Sequence, residues 1–186
     1  MINILREDPF VAYTDRYAGQ WSLPDFREIT LHSSHLQAHN YLMFDQHLRE
    51  SYSGFDYTRR YWNLQHQIYE AIKSDFYFSD PLPQYEVLEL TEYMTHGCFR
   101  EHFDFSPYLQ FPRIATAILY VNDDFEGGET HFKTMNIKIK PKAGRLLYFR
   151  YDNPFTAEWT GHEGLPVMKG IKRICSQWIS TVQLPF

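Results

Sequence analysis

Cysteine is scarce in this chain: two residues, Cys98 and Cys175, in 186. Neither sits in a CxxC or CxxxC cluster, so a disulfide framework and a cysteine zinc site are both excluded, and the sequence predicts two reduced thiols. Positive charge is also short, with 18 Lys and Arg against 23 Asp and Glu and a net charge of −5. A nucleic-acid backbone would find no electrostatic footprint here, so no nucleic-acid partner is expected. No apolar run approaches the length that spans a bilayer, which predicts no membrane segment. The N-terminus turns acidic at Glu7-Asp8 before the apolar core of a signal peptide develops, which predicts a cytoplasmic protein. Internal repeats and low-complexity tracts are absent too. Aromatic residues, in contrast, make up 18% of the chain, and nine histidines form a stock from which a metal site could be built.

At 186 residues one domain is the default, because two would leave neither half a comfortable core. Up to about residue 80 the regular pattern is helical. In Thr58 to Phe76 the apolar residues Tyr61, Leu64, Ile68, Ala71 and Ile72 recur at three- and four-residue steps, the period of a helix with one buried face. A second helix is predicted over Ser34 to Glu50, from Leu36, Met43, Phe44 and Leu48, stopped by the Ser-Tyr-Ser-Gly stretch at 51–54. The opening thirty residues show no clear period.

After Pro81-Leu82-Pro83 the pattern changes to short β-branched or aromatic segments between turn residues, the spacing of an all-β barrel or sandwich. Predicted strands are Tyr85 to Met94, Arg100 to Phe105, Arg113 to Val121, Asn136 to Lys140, Arg145 to Arg150 and Gly170 to Val182. The Pro81 to Pro83 seam is too short to separate two cores, so both halves belong to one unit.

His102-Phe103-Asp104 is the informative cluster. Residues two apart on a strand share a face, so His102 and Asp104 should converge while Phe103 packs on the other side. That supplies two ligands of a 2-His-1-carboxylate triad with open metal positions, or else an imidazole bonded to a carboxylate at a strand end. His162 follows in Trp-Thr-Gly-His-Glu, with Lys172 ten residues on and Trp178 sixteen on. By alternation Lys172, Ile174, Ser176 and Trp178 share one strand face.

Taken with the Arg113 strand, the Asp-Phe-Glu-Gly-Gly-Glu-Thr run at 124–130 and the Lys-Pro-Lys-Ala-Gly-Arg-Leu-Leu-Tyr-Phe run at 140–149, this order resembles the prolyl 4-hydroxylase-like family of Fe(II)- and 2-oxoglutarate-dependent dioxygenases. The resemblance covers about Tyr85 to Val182. It implies an α+β protein, residues 1–186 as one domain, with a double-stranded β-helix (jelly-roll) core over about 81–186 and supporting N-terminal helices over about 1–80. It implies His102, Asp104 and His162 as iron ligands and Lys172 as the cation pairing with the distal carboxylate of 2-oxoglutarate. Tyr93, Thr130 and Trp178 fall on the family's other cosubstrate positions, and Arg113 on a substrate-binding arginine. Phe99 replaces a family tyrosine that contacts substrate.

The implied chemistry uses O2 to hydroxylate an unactivated C–H while 2-oxoglutarate becomes succinate and carbon dioxide, with ascorbate as an accessory reductant. Peptidyl-proline is the first expected substrate, and a free amino acid or other small molecule the second. Two other classes stay open at this stage: a cupin-like metal hydrolase or isomerase using the same three ligands, and a metal-free binding module. The remaining histidines, among them His32, His35, His39, His96 and His131, are expected to be surface or structural, with His35 and His39 the one pair worth checking as a second metal site.

Overall fold

A β-strand buried on both faces must satisfy two different environments, and the longest strands of this chain do so by alternation. The computed structural model describes residues 1–7, 10–23, 37–39, 49–53, 59–76, 84–86, 88–105, 113–151 and 157–180. The central strands are β6 (Glu89–Tyr93), β8 (Arg113–Tyr120), β12 (Leu146–Arg150) and β15 (Lys172–Ser180). On β8, Ala115, Ala117 and Leu119 look one way, toward a helix, and Thr116, Ile118 and Tyr120 look the other, into the barrel.

The helix is α1 (Arg59–Asp75), close to the predicted span. Its Leu64, Ile68, Ala71 and Ile72 are all at or near zero exposure and pack with Leu88, Leu90, Leu146, Tyr148, Cys175 and Ile179 of the sheet. Burying each large aliphatic side chain there stabilises by about 1.5–3 kcal/mol before entropy is counted. The second core lies inside the barrel, where Val11, Tyr120, Leu147, Phe149 and Ile174 meet Phe132 and Ile139 from the opposite sheet.

Every strand pair among the described residues is antiparallel. The larger sheet also takes in β1 (Ile2–Glu7), β2 (Phe10–Thr14), β3 (Gln37–His39) and β4 (Arg49–Ser53), in the order β1-β2-β12-β8-β15-β6-β4-β3, with β5 (Gln84–Tyr85) beside β15. The smaller sheet is β11 (Ile137–Ile139), β10 (Thr130–Phe132), β13 (His162–Gly164) and β7 (Phe99–His102), in the order β11-β10-β13-β7. A two-stranded ribbon joins β9 (Glu126–Gly127) to β14 (Val167–Lys169). Two facing antiparallel sheets closed around an interior are the expected jelly-roll.

The N-terminal third departs from expectation. The predicted helix over Ser34 to Glu50 does not form at its described ends: 37–39 and 49–50 are strand, and 40–48 lie outside the described residues. The Ser51 to Ser53 stretch, read as a helix stop, continues β4 instead, because the edge of β6 offers unpaired hydrogen-bonding groups that β4 satisfies from Glu89 to Tyr93. Residues 2–7 and 10–14, read as aperiodic, form two antiparallel strands that extend the sheet beyond β12. The helical support thus reduces, among the described residues, to α1. The strand predicted over Tyr85 to Met94 is interrupted at Glu86 and Leu88, and the Glu86 N–H bonds the Trp178 carbonyl while the Glu86 carbonyl accepts from Gln65 and Gln177.

Candidate metal and cosubstrate site

The pairing of β7 with β13 sets His162 directly opposite His102. Each ring is held the same way: His102 Nδ1 lies 2.9 Å from the Arg100 carbonyl and His162 Nδ1 lies 3.0 Å from the Thr160 carbonyl. A carbonyl only accepts, so both Nδ1 atoms carry the proton and both Nε2 lone pairs are free to bind a cation.

Asp104 stands two residues beyond His102, past the strand end at His102 rather than within it. Its Oδ1 is 3.5 Å from His102 Nε2 and its Oδ2 is 3.9 Å from His162 Nε2, and one donor atom from each of the three residues falls within 4.8 Å of the others. Phe103, expected to pack on the side opposite His102 and Asp104, is not buried. It is 51% exposed and its ring lies over Gly161, where a Cβ would come within 2.7 Å of it, which is why the residue before His162 must be small.

Electrostatics suits the ligands to a cation. Burial pushes the Asp104 pKa up, but the His162 and His102 imidazoles and the Thr116 hydroxyl outweigh it and hold the carboxyl well below the usual carboxylate range. His162 is lowered to about 4, first by burial and then by His102, so it is a neutral imidazole at neutral pH. Phe99 stacks on His102 with ring centroids 3.8 Å apart. The residue that departs from the family tyrosine thus packs against a ligand ring.

One cavity takes in the triad together with Tyr93, Thr130, Lys172, Ile174, Ser176 and Trp178. The alternation read along 172–178 therefore holds. Lys172, 2% exposed, donates to the Gly128 carbonyl at 2.7 Å, and its ammonium sits 5.0 Å from the Tyr93 ring and 5.7 Å from the Tyr120 ring. Gly128 has φ of +70° and a Cβ there would meet Lys172 Cδ at 3.1 Å, so glycine lets the backbone approach the lysine. Tyr120 donates to Thr130 Oγ1 at 2.6 Å, which orients the threonine toward the same space.

Arg113 is placed differently. It is not among the residues lining the cavity; it forms a two-point ion pair with Glu86 and stacks 4.2 Å over the Trp178 ring. Thr116, Tyr120 and Tyr151 were missed in the sequence. The signal for Thr116 was legible, a lone hydroxyl in the apolar run Ile114 to Leu119. His131 bonds Glu163 at 2.8 Å, in keeping with a structural role, while His32 and His35 and the side chain of His39 lie outside the described residues.

Two carbonyl-anchored imidazoles, a carboxylate and a buried ammonium share one barrel, a set that could hold a metal ion and an anionic partner side by side. Residues 88–180, half of the chain and the span from β6 through β15, match the 2OG-Fe(II) oxygenase superfamily, and the chain belongs to that family. It is 30% identical over 114 residues to a putative prolyl 4-hydroxylase of Acanthamoeba polyphaga mimivirus, covering 54% of this chain and 47% of the relative. A shorter stretch of 39 residues, 18% of this chain and 6% of the relative, is 54% identical to prolyl 3-hydroxylase 2 of Rattus norvegicus. Among solved structures, the viral collagen prolyl hydroxylase of Paramecium Bursaria Chlorella virus-1, in its 2OG complex, superposes with a TM-score of 0.67 at 26% identity, covering 92% of this chain and 96% of that one. The chain spans about half the length of the curated relatives it matches first.

The family's name carries its cofactors, Fe(II) and 2-oxoglutarate, with O2 as the oxidant of an oxygenase. The residues fit both. A 2-His-1-carboxylate set with free Nε2 atoms suits non-haem Fe(II), and a buried ammonium suits a dicarboxylate. Among the described residues no helix is long and apolar enough to cross a membrane.

Proposed function

We propose that the chain hydroxylates a prolyl residue within a peptide or protein, with Fe(II) held by His102, Asp104 and His162 and 2-oxoglutarate held by Lys172, Tyr93, Thr130 and Trp178. The observation that carries this reading is the buried ammonium of Lys172 in the same cavity as the triad. A cupin-like hydrolase or isomerase has no use for an ammonium at that place, whereas the distal carboxylate of 2-oxoglutarate has.

Each residue then has a task in its own terms. With Fe(II) and 2-oxoglutarate bound there, O2 would be the oxidant, taking two electrons from 2-oxoglutarate and two from an unactivated C–H bond. His102 and His162 present Nε2, and Asp104 keeps the site's negative charge without needing to exchange a proton. Lys172 binds the distal carboxylate, anchored from behind by Gly128 and flanked by the Tyr93 and Tyr120 rings, while Thr130, fixed by Tyr120, offers a hydroxyl beside it. Ile118, Ile174, Phe99 and Trp178 keep the cavity poor in water, which favours placement of the reacting bond over side reactions.

Three relatives or neighbours with "prolyl" in their names support a proline substrate, and the two whose names give a position differ, one 4- and one 3-hydroxylase. The Arg113 pair with Glu86 favours a neutral peptide carbonyl over a free carboxylate as the group presented at that corner, because the guanidinium charge is already balanced. Residues 1–186 act as one catalytic domain in this reading, and Cys98 and Cys175, both free thiols, suit the reducing cytoplasm.

The test is incubation of the purified protein with Fe(II), 2-oxoglutarate, ascorbate and proline-rich peptides, read as succinate release and a +16 Da product. Succinate release coupled to hydroxyproline supports the proposal. A product on a free amino acid with peptides untouched overturns the substrate, and failure of N-oxalylglycine to bind the iron-loaded protein overturns the cosubstrate.

A further inference from the structure

The metal-ligating carboxylate is the end of a buried chain of hydroxyls. Thr116 Oγ1 lies 2.8 Å from Asp104 Oδ2, and the Tyr151 hydroxyl lies 2.9 Å from the same Thr116 oxygen. Thr116 is 1% exposed and Tyr151 is fully buried, so water does not substitute for either partner.

The direction of the chain follows from donor counting. A carboxylate that binds a metal ion accepts and does not donate, so Thr116 spends its one proton on Asp104 Oδ2. Thr116 can then only accept from Tyr151, whose proton is its own to give. Burial and the nearby Asp104 charge both push the Tyr151 phenol well above its ordinary pKa, which keeps that proton in place. The two strands set the spacing: Thr116 sits opposite Phe149 in the β8–β12 register, and the Tyr151 N–H bonds the Ile114 carbonyl at 2.8 Å, carrying the pairing one step past β12.

With Oδ2 engaged by Thr116, Oδ1 is the oxygen turned to His102 Nε2. We propose that Tyr151 is a positioning residue which, through Thr116, fixes the Asp104 carboxylate so that a single oxygen is offered to the metal. Tyr151 itself is held edge-on by Phe105 at 6.1 Å and packs beside Phe149, so its hydroxyl cannot swing away. The inference rests on the metal-site reading above and concerns binding rather than turnover.

The experiment is anaerobic titration of the metal-free protein with Fe(II), and with Co(II) as a spectroscopic probe, in wild type, Tyr151→Phe, Thr116→Val, Thr116→Ser and the double variant Tyr151→Phe/Thr116→Val. Loss of a partner behind a ligand is expected to weaken metal binding by about 10–100-fold. Tyr151→Phe keeps the ring and should lose affinity in that range, with a changed Co(II) visible spectrum. Thr116→Ser should bind as wild type, and the double variant should be no weaker than Thr116→Val alone, since the two residues act in series.

Unchanged Fe(II) affinity and Co(II) spectrum in Tyr151→Phe, or additive losses in the double variant, overturn the proposal. Should Tyr151→Phe melt markedly lower without metal, the comparison of Thr116→Val with Thr116→Ser decides: equal affinities overturn it. Failure of the metal site is read separately, as wild type taking up no more metal than His102→Ala, and the relay then falls with it.

Discussion

Arg113 and Glu86 meet at two points, Nε to Oε1 at 2.7 Å and Nη2 to Oε2 at 2.6 Å, at the end of the barrel next to Asp104 and Trp178. Glu86 is itself fixed by Ser180, whose hydroxyl donates to Oε1 at 2.9 Å, and through its carbonyl by Gln65 of α1 and Gln177 of β15. Arg113 thus arrives at the site with its charge matched and its plane set by the Trp178 ring.

Glu86→Gln leaves the shape and removes the matching charge. Two peptides that differ only in ending on proline amide or proline carboxylate separate the effect. Wild type is expected to favour the amide, and Glu86→Gln to shift the preference toward the carboxylate by about tenfold, about 1.4 kcal/mol. The ratio of hydroxylated products in a mixed incubation, read by mass spectrometry, checks it; an unchanged ratio means the pair only braces Trp178.

Lys172→Ala removes the one cation lining the cavity among the described residues. Breaking a buried charge pair costs roughly 2–5 kcal/mol, so 2-oxoglutarate affinity should fall by about 30-fold or more. Calorimetric titration of the metal-loaded variant with 2-oxoglutarate measures this, and metal affinity should stay near that of wild type because Lys172 is not a ligand.

Asp15 ties the turn after β2 to the loop before β12. Its hydrogen bond from Arg145, at 2.8 Å, and that from Lys142 lower its pKa from 3.8 to about 2 against the opposing effect of burial. A depressed carboxylate pKa contributes stability above the unfolded value near 3.8 that is lost as pH falls through about 2. After discounting for partial exposure, Asp15→Asn should cost on the order of 1 kcal/mol at pH 7. Urea unfolding of both proteins should show that difference shrink below pH 4 and vanish near pH 2.

The sequence made the core legible where period and chemistry coincide. Lys172, Ile174, Ser176 and Trp178 declared a shared face because a nine-residue strand shows its alternation, and α1 declared itself through Leu64, Ile68, Ala71 and Ile72. His162 was found only by its place in a family order, since β13 is three residues long and shows no period. The misread helix over Ser34 to Glu50 had apolar residues at helical steps, but β4 is fixed by pairing with the distant β6 and β3 by pairing with β4, which local spacing does not encode. The Tyr151 relay was hidden for the same reason: Tyr151 and Asp104 are 47 positions apart, and only the sheet brings them to a common threonine.

The pairing of β1 and β2 bears on how the chain can be divided. The family match begins at residue 88, yet β12 within it borrows four consecutive pairings from β2, and Val11 and Ala12 are fully buried. Cutting at the start of the matched stretch would leave β12 with an open edge and strip α1 from the other face of the sheet, turning a closed catalytic barrel into a template for strand addition. The functional unit is therefore larger than the segment that carries its chemistry, and the minimal active fragment must include β2 and α1.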